Sequence, residues 1–169
     1  DDGTAKGKLT LGSMQSTAIT ILPGLLAAYH RENPNVTLCI KTGITEASLR
    51  GVLDHSLDGA FIAGPIRHPG LATKLVRQER LVLISASGNP AADANDALLR
   101  KPLLVFPQGC SYRKVLERWL DSQGLFTEQI VEFDSLGAII ASVSAGLGIS
   151  LFPESVVGAF AASGALICH

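Results

Sequence analysis

Apolar and polar positions alternate along this chain in a regular order. In "KLTLG", Leu9 and Leu11 fall on one face, which predicts a short strand ended by Gly12. Leu22, Leu25, Leu26 and Tyr29 then follow at i, i+3, i+4 and i+7, the stripe of an amphipathic helix with Pro23 in its first turn. "ENPNV" stops that helix, and "VTLCIKTG" alternates as a second strand. Thr45 is placed to N-cap a helix whose apolar face is Leu49, Val52, Leu53 and Leu57. "GAFIAGP" is a continuous apolar run, the pattern of a strand buried on both faces. The first half therefore predicts strand, helix, strand, helix, strand, a parallel α/β unit.

The second half repeats the alternation. "ERLVLISAS" predicts a strand, "GNPAADAND" a turn with a short helix, and "PLLVFPQGCS" a strand entering a glycine turn. Tyr112, Val115, Leu116, Trp119 and Leu120 line one face of the next helix, with Gly124 as its C-terminal cap. "IVEFDS" reads as a strand, "LGAIIASVSAG" as a helix closing on Gly146, and "GISLFP" as a buried strand, after which Pro153 and Glu154 open another helix.

Length and composition narrow the class. A chain of 169 residues with 47% apolar and 17% charged residues can bury a core without disulfides or metals. Net charge −1 and a pI near 6.5 exclude a built-in nucleic-acid footprint. No apolar run reaches the ~18 residues of a membrane span, and "DDGTAKG" reads as the tail of a linker rather than a signal peptide. Cys39, Cys110 and Cys168 form no CxxC pair, which fits a reducing compartment and a cytoplasmic location. His30, His55, His68 and His169 lack metal-ligand spacing, so no metal and no cofactor is expected.

In parallel α/β sheets, ligands sit beyond the carboxyl ends of strands, where loops enter helix N-termini. Residues 13–17, 42–45 and 108–111, with Asp134 and Ser135, share that context and carry small polar side chains. Free N–H groups and the positive dipole end suit an anion there. For any one of these residues, a simple helix cap is the default reading. Four such places at the same strand ends weigh toward a pocket.

Catalytic readings are weaker. No GxSxG elbow supports Ser13 or Ser16 as a nucleophile, and "GLG" at 146–148 precedes a strand instead of following one. Cys110 would have a lowered pKa at a helix N-terminus, yet no partner His or resolving Cys is visible, and a small pocket-lining residue is the better reading. Arg67 with His68, and Arg113 with Lys114, could attract an acidic ligand or be solvated surface charge.

The ordered set "LTLGS", "LPGLLAAYHRENPNVTL", "LDGAFIAGP", "LVLISA" and "SVSAGLGISLFPESV" resembles the effector-binding domain of LysR-type transcriptional regulators, over residues 8–157. The resemblance implies an α/β fold of two Rossmann-like lobes joined by two crossover strands, of the type 2 periplasmic-binding-protein kind. Lobe I would hold residues 1–84 and 152–169, its C-terminal part shortened, and lobe II residues 85–151, with "LVLISAS" and "GISLFPE" as crossovers. A small anionic effector would bind in the interlobe cleft and no reaction would be catalysed. Carried onto this sequence, the effector positions are Ser13, Gln15, Ser16, Thr17, Thr42, Thr45, Gly109, Cys110 and Ser111; Pro65 and Asp134 complete the candidate set. The resemblance further implies a homodimer, and a tetramer in the full-length protein, with the helix at 22–31 pairing across subunits. DNA would be bound only through a domain preceding Asp1. One departure stands out: His55 occupies a place where the family usually has glycine. The competing expectation is a stand-alone solute-binding protein of a transport system.

Overall fold

The computed structural model describes residues 5–88, 101–125 and 129–169. The short helix expected in "GNPAADAND" lies outside them. Two compact units divide the chain, Asp1–Val76 and Arg77–His169.

The first unit is built on β1 (Gly7–Ser13), β2 (Val36–Thr42) and β3 (Gly59–Phe61), a parallel sheet in the order β2-β1-β3. The alternation of Leu9 and Leu11 continues past Gly12, so β1 ends at Ser13 rather than at the glycine. Gly12 allows close packing instead: a Cβ there would lie 2.8 Å from Leu57 Cδ1 and 3.1 Å from Ser48 Oγ. A short helix, α1 (Gln15–Thr20), precedes the expected one, α2 (Leu22–Glu32), which carries its proline in the first turn. Of the α2 stripe only Leu22 is buried; Leu25 is 48% exposed. The helix α3 (Thr45–Leu53) buries Thr45, Ser48 and Gly51; of the predicted face Leu57, beyond the helix end, is buried, and Leu49 and Val52 are half-buried. Its small residues lie on the side that must approach the sheet closely, and Leu53 is left exposed. The "GAFIAGP" run forms only three strand residues, all half-buried, so it is not the doubly covered strand expected.

His55 has φ +62°, the left-handed conformation its place demands. Asp54 accepts from the Ser56 N–H at 2.9 Å and stabilises this turn. Those hydrogen bonds to Ser56 hold the Asp54 carboxyl below its ordinary range.

The second unit is mixed rather than parallel throughout. β4 (Leu81–Ala86) is flanked by β7 (Ser150–Pro153) and β8 (Leu166–Cys168), both antiparallel to it. β5 (Leu103–Val105) and β6 (Ile130–Glu132) pair in parallel, and a single parallel bridge joins Leu103 to Ile149, just before β7. Among the described residues of this unit the helices are α4 (Ser111–Ser122), α5 (Leu136–Ser144) and α6 (Glu154–Ala162). Gly124 and Gly146 follow α4 and α5 at φ +67° and +87°, as their capping role predicts. On α4, Tyr112, Leu116 and Leu120 are buried, whereas Val115 and Trp119 of the predicted face are exposed.

The two expected crossover segments pair with each other: Leu81 to Ile84 face Pro153 to Ser150, and β8 hydrogen-bonds to the other side of β4. A core of Leu103, Val105, Leu116, Leu120 and Ile149 lies beneath.

Candidate functional site

The carboxyl edge of the first sheet gathers most of the candidate residues. Ser13 sits opposite both Thr42 and Phe61, so the three strands end in one row. The Gly43 N–H donates to the Ser13 carbonyl at 2.9 Å, and the Met14 N–H to the Phe61 carbonyl at 3.3 Å, which ties the three exits together. Gln15, Ser16 and Thr17 form the first turn of α1, and Thr45 begins α3. Ser13 is completely buried and its hydroxyl donates to the Met14 carbonyl at 3.0 Å; Ser16, Thr17 and Thr45 are buried as well. Thr42 and Pro65 are exposed.

The simple capping explanation for these hydroxyls does not hold at the N-cap positions. Those positions are Met14 for α1 and Ile44 for α3, and neither supplies a side-chain cap. Thr45 is therefore the first residue inside its helix rather than its cap. In the second unit the N-cap of α4 is Cys110, and it likewise supplies no side-chain cap. Ser135 is the exception, its hydroxyl accepting from the Ala138 N–H at 3.3 Å. At Met14, Ile44 and Cys110 the N-cap residue itself supplies no side-chain cap.

In the second unit, β5 and β6 end side by side, with Val105 opposite Glu132. Gly109, Cys110 and Ser111 lead into α4, while Asp134 is exposed beyond β6. The Cys110 thiol does not have the lowered pKa expected of a helix start. Burial pushes it up, against smaller opposing effects of the Arg113 and Tyr112 N–H groups. It lines the turn and is not an activated nucleophile.

Arg113 departs furthest from the surface-charge reading. Its side chain is only 7% exposed. Nε donates to Glu117 at 2.8 Å, and Nη1 donates to Glu132 at 2.7 Å and to the Phe106 carbonyl at 3.1 Å. The Gln108 amide oxygen, in the orientation its hydrogen bonds require, lies 2.7 Å from Nη2. Burial works against the charged guanidinium, but the two carboxylates outweigh it and hold the pKa above its ordinary value. Beside it a shallow recess is lined by Phe106, Tyr112, Leu116 and Ser150. The i, i+4 spacing of Arg113 and Glu117 was visible in the sequence; the role of Glu132 needed the pairing of β5 with β6. Lys114, Arg67 and His68 are exposed, and the His68 ring accepts from the Gly70 N–H at 3.1 Å.

A family model described as the LysR substrate binding domain matches residues 2–169. The chain belongs to this family. Among curated relatives, the HTH-type transcriptional regulator CzcR of Bacillus cereus is 43% identical over the whole chain. The HTH-type regulator GltR of Bacillus subtilis (strain 168) is 41% identical over the same length. The chain spans 57% of each of these relatives, a little over half their length. Among solved structures, the CcmR regulatory domain of Synechocystis PCC6803 in complex with 2-PG aligns with a TM-score of 0.83 at 18% identity, covering 96% of this chain and 80% of that one. The effector-binding domain of QuiR in complex with shikimate aligns with a TM-score of 0.79 at 16% identity, covering 97% and 80%. The BenM effector-binding domain with its effector benzoate gives 0.70 at 23% identity, covering 89% and 72%. These likenesses carry the fold: that of LysR effector-binding domains, periplasmic-binding-protein-like, as the sequence resemblance implied. No helix among the described residues is long and apolar enough to cross a membrane.

Proposed function

We propose that this chain is the ligand-sensing part of a LysR-type transcription regulator, and that it binds a small anionic effector at the strand-end turns without catalysing a reaction. The observation that carries the reading is the row of Ser13, Thr42 and Phe61 at one sheet edge, followed by helices that start without side-chain caps. Such an edge sets hydroxyls beside the positive ends of two helices, which suits a carboxylate. That the relatives are named as HTH-type transcriptional regulators favours this reading over a solute-binding protein of a transport system. Two of the structural neighbours hold benzoate and shikimate, both carboxylates.

In this reading the effector contacts are drawn from Ser13, Gln15, Ser16, Thr17, Thr42, Thr45, Pro65, Gly109, Cys110, Ser111 and Asp134. No cofactor takes part. The effector acts by favouring one arrangement of the domain over another, and only a difference in affinity for the two can switch anything. The regulator works in the cytoplasm and meets DNA through a separate domain.

Ser16→Ala and Thr42→Ala are expected to weaken effector binding while the protein remains folded. The loss is about 1 kcal/mol for a neutral hydrogen bond and about 1.5–3 kcal/mol for one to a carboxylate. A thermal-shift screen with small carboxylates, benzoate and shikimate included, identifies a binder, since a ligand of the folded state raises its stability. Calorimetry then compares the variants, and unchanged affinity in both would remove these residues from the site. The same reading makes the regulator a homodimer, a tetramer at full length, with the helix α2 as a pairing surface. Leu25, 48% exposed on that helix, is the apolar residue such a contact would cover. Equilibrium sedimentation is expected to show concentration-dependent dimers that weaken in Leu25→Glu; a strict monomer at high concentration would refute the pairing.

A further inference from the structure

Gly109, Cys110 and Ser111, three of the proposed effector residues, lie on one turn, residues 106–111. The backbone before this turn ends β5, and the backbone after it starts α4. A glycine at φ +91° sits in its middle. Inside the turn the Cys110 N–H donates to the Pro107 carbonyl at 3.2 Å, which leaves the Phe106 carbonyl and the Gln108 side chain to be fixed from outside it. The Arg113 guanidinium occupies that position. It reaches the Phe106 carbonyl at 3.1 Å at one end of the turn and the Gln108 amide oxygen at 2.7 Å within it. The same group is anchored at 2.7 Å to Glu132 on β6 and at 2.8 Å to Glu117 one helical turn along α4.

We propose that Arg113 is the positioning residue of the effector turn: it holds residues 106–111 in a binding-ready shape and does not itself contact the effector. The donor count supports this. A guanidinium has five N–H groups in a rigid fork, and four are committed to Glu117, Glu132, Phe106 and Gln108. The two flanking carboxylates more than neutralise its charge, so it is poorly suited to draw in an anion itself. Lysine keeps the positive charge but has no planar fork that can span four acceptors on three segments. The inference rests on the proposed function for the meaning of the turn, but the order of the turn can be read without any effector.

Cys110 supplies that readout, because its thiol is buried in the turn it reports on. Site-resolved mass spectrometry would follow labelling of the three cysteines by a thiol reagent in the wild-type chain and in Arg113→Lys. Cys39 and Cys168 are internal controls, one in the other unit and one on β8. Labelling of Cys110 is expected to speed up on the order of tenfold, with the other two unchanged, as for a local opening. Leu120→Ala, a core variant in the same helix, is expected to speed Cys110 and Cys168 together without singling out Cys110. Equal acceleration of all cysteines in Arg113→Lys, or no acceleration at all, would overturn the proposal. Should that variant fail to fold, Glu132→Gln, which loosens the anchor on a half-exposed residue, gives the same selective acceleration or refutes it.

A second arm uses benzoate and shikimate in the thermal-shift assay. If either stabilises the wild type, Arg113→Lys is expected to lose that stabilisation, and Arg113→Lys binding as well as the wild type would overturn the positioning role. If neither carboxylate stabilises the wild type, that result counts against the anionic-effector reading, while the cysteine rates still judge Arg113.

Discussion

Alanine at position 148 is expected to destabilise the protein by about 3 kcal/mol or more, although it adds a single methyl group. Gly148 runs against the strand that enters β5, and a Cβ on it would overlap the Pro102 carbonyl and the Leu104 Cδ1. The obstacle is backbone, so no side chain can rotate away. Overpacking of a closed site costs about 1–3 kcal/mol. Here the displacement also reaches the hydrogen bonds beside it, from the Ile149 N–H to the Pro102 carbonyl at 3.0 Å and from the Leu104 N–H to the Ile149 carbonyl at 2.8 Å. Each contributes about 1 kcal/mol. The Ser150 hydroxyl, donating to the Leu104 carbonyl at 2.6 Å, would be disturbed with them. Urea denaturation reads the change as a lower midpoint, and a variant as stable as its parent would show that the two strands do not approach as described.

Phe152→Ala is the second large effect, expected at about 3–5 kcal/mol. Phe152 is 0% exposed, the largest fully buried side chain among the described residues. It meets Phe106 edge-on with ring centroids 5.9 Å apart, and Tyr112 at 6.4 Å. Those two rings flank the turn before α4, so truncation leaves a cavity beside the very segment that Arg113 holds. Phe152→Leu fills most of that volume and should recover more than half of the loss. Thermal unfolding of the pair checks this, and equal melting of Phe152→Ala and the parent would refute it.

Much of the fold was legible because its signals are local. The apolar run "LGAIIASVSAG", the glycines after α4 and α5, and the proline at the start of α2 each act within a few residues. Long-range placement was not legible in the same way. α3 turns Thr45, Ser48 and Gly51 inward because the sheet leaves room only for small side chains at Gly12, and that room is set by β1 and Leu57 rather than by α3. Strand β8 is three residues long, too short for any periodicity, and its partner β4 lies 84 residues away at Ile84 and Cys168. The candidate residues of the first unit were found because strand ends followed by hydroxyls form a sequence pattern. Thr45 was misplaced as a cap because threonine is common there, whereas the cap is Ile44. Arg113 was left as attracting or solvated charge because the Phe106 carbonyl in the turn after β5 and the Glu132 carboxylate on β6, which bury it, leave no mark near position 113.

The order of strands has a consequence for how the two units form. In the first, the central strand β1 gains its neighbours β2 and β3 soon after it, and the sheet can close while little further chain is present. In the second, the partners of the central strand β4 come much later: Ile84 waits for Ser150 on one side and Cys168 on the other. Pairings so distant in sequence form slowly, since the loop must be closed before any contact rewards it. During synthesis, Val82 and Ile84, both buried in the finished unit, stay uncovered until about 65 to 85 further residues have emerged, an interval of several seconds at ordinary elongation rates. The second unit is therefore the part of the chain most exposed to misassembly as it is made.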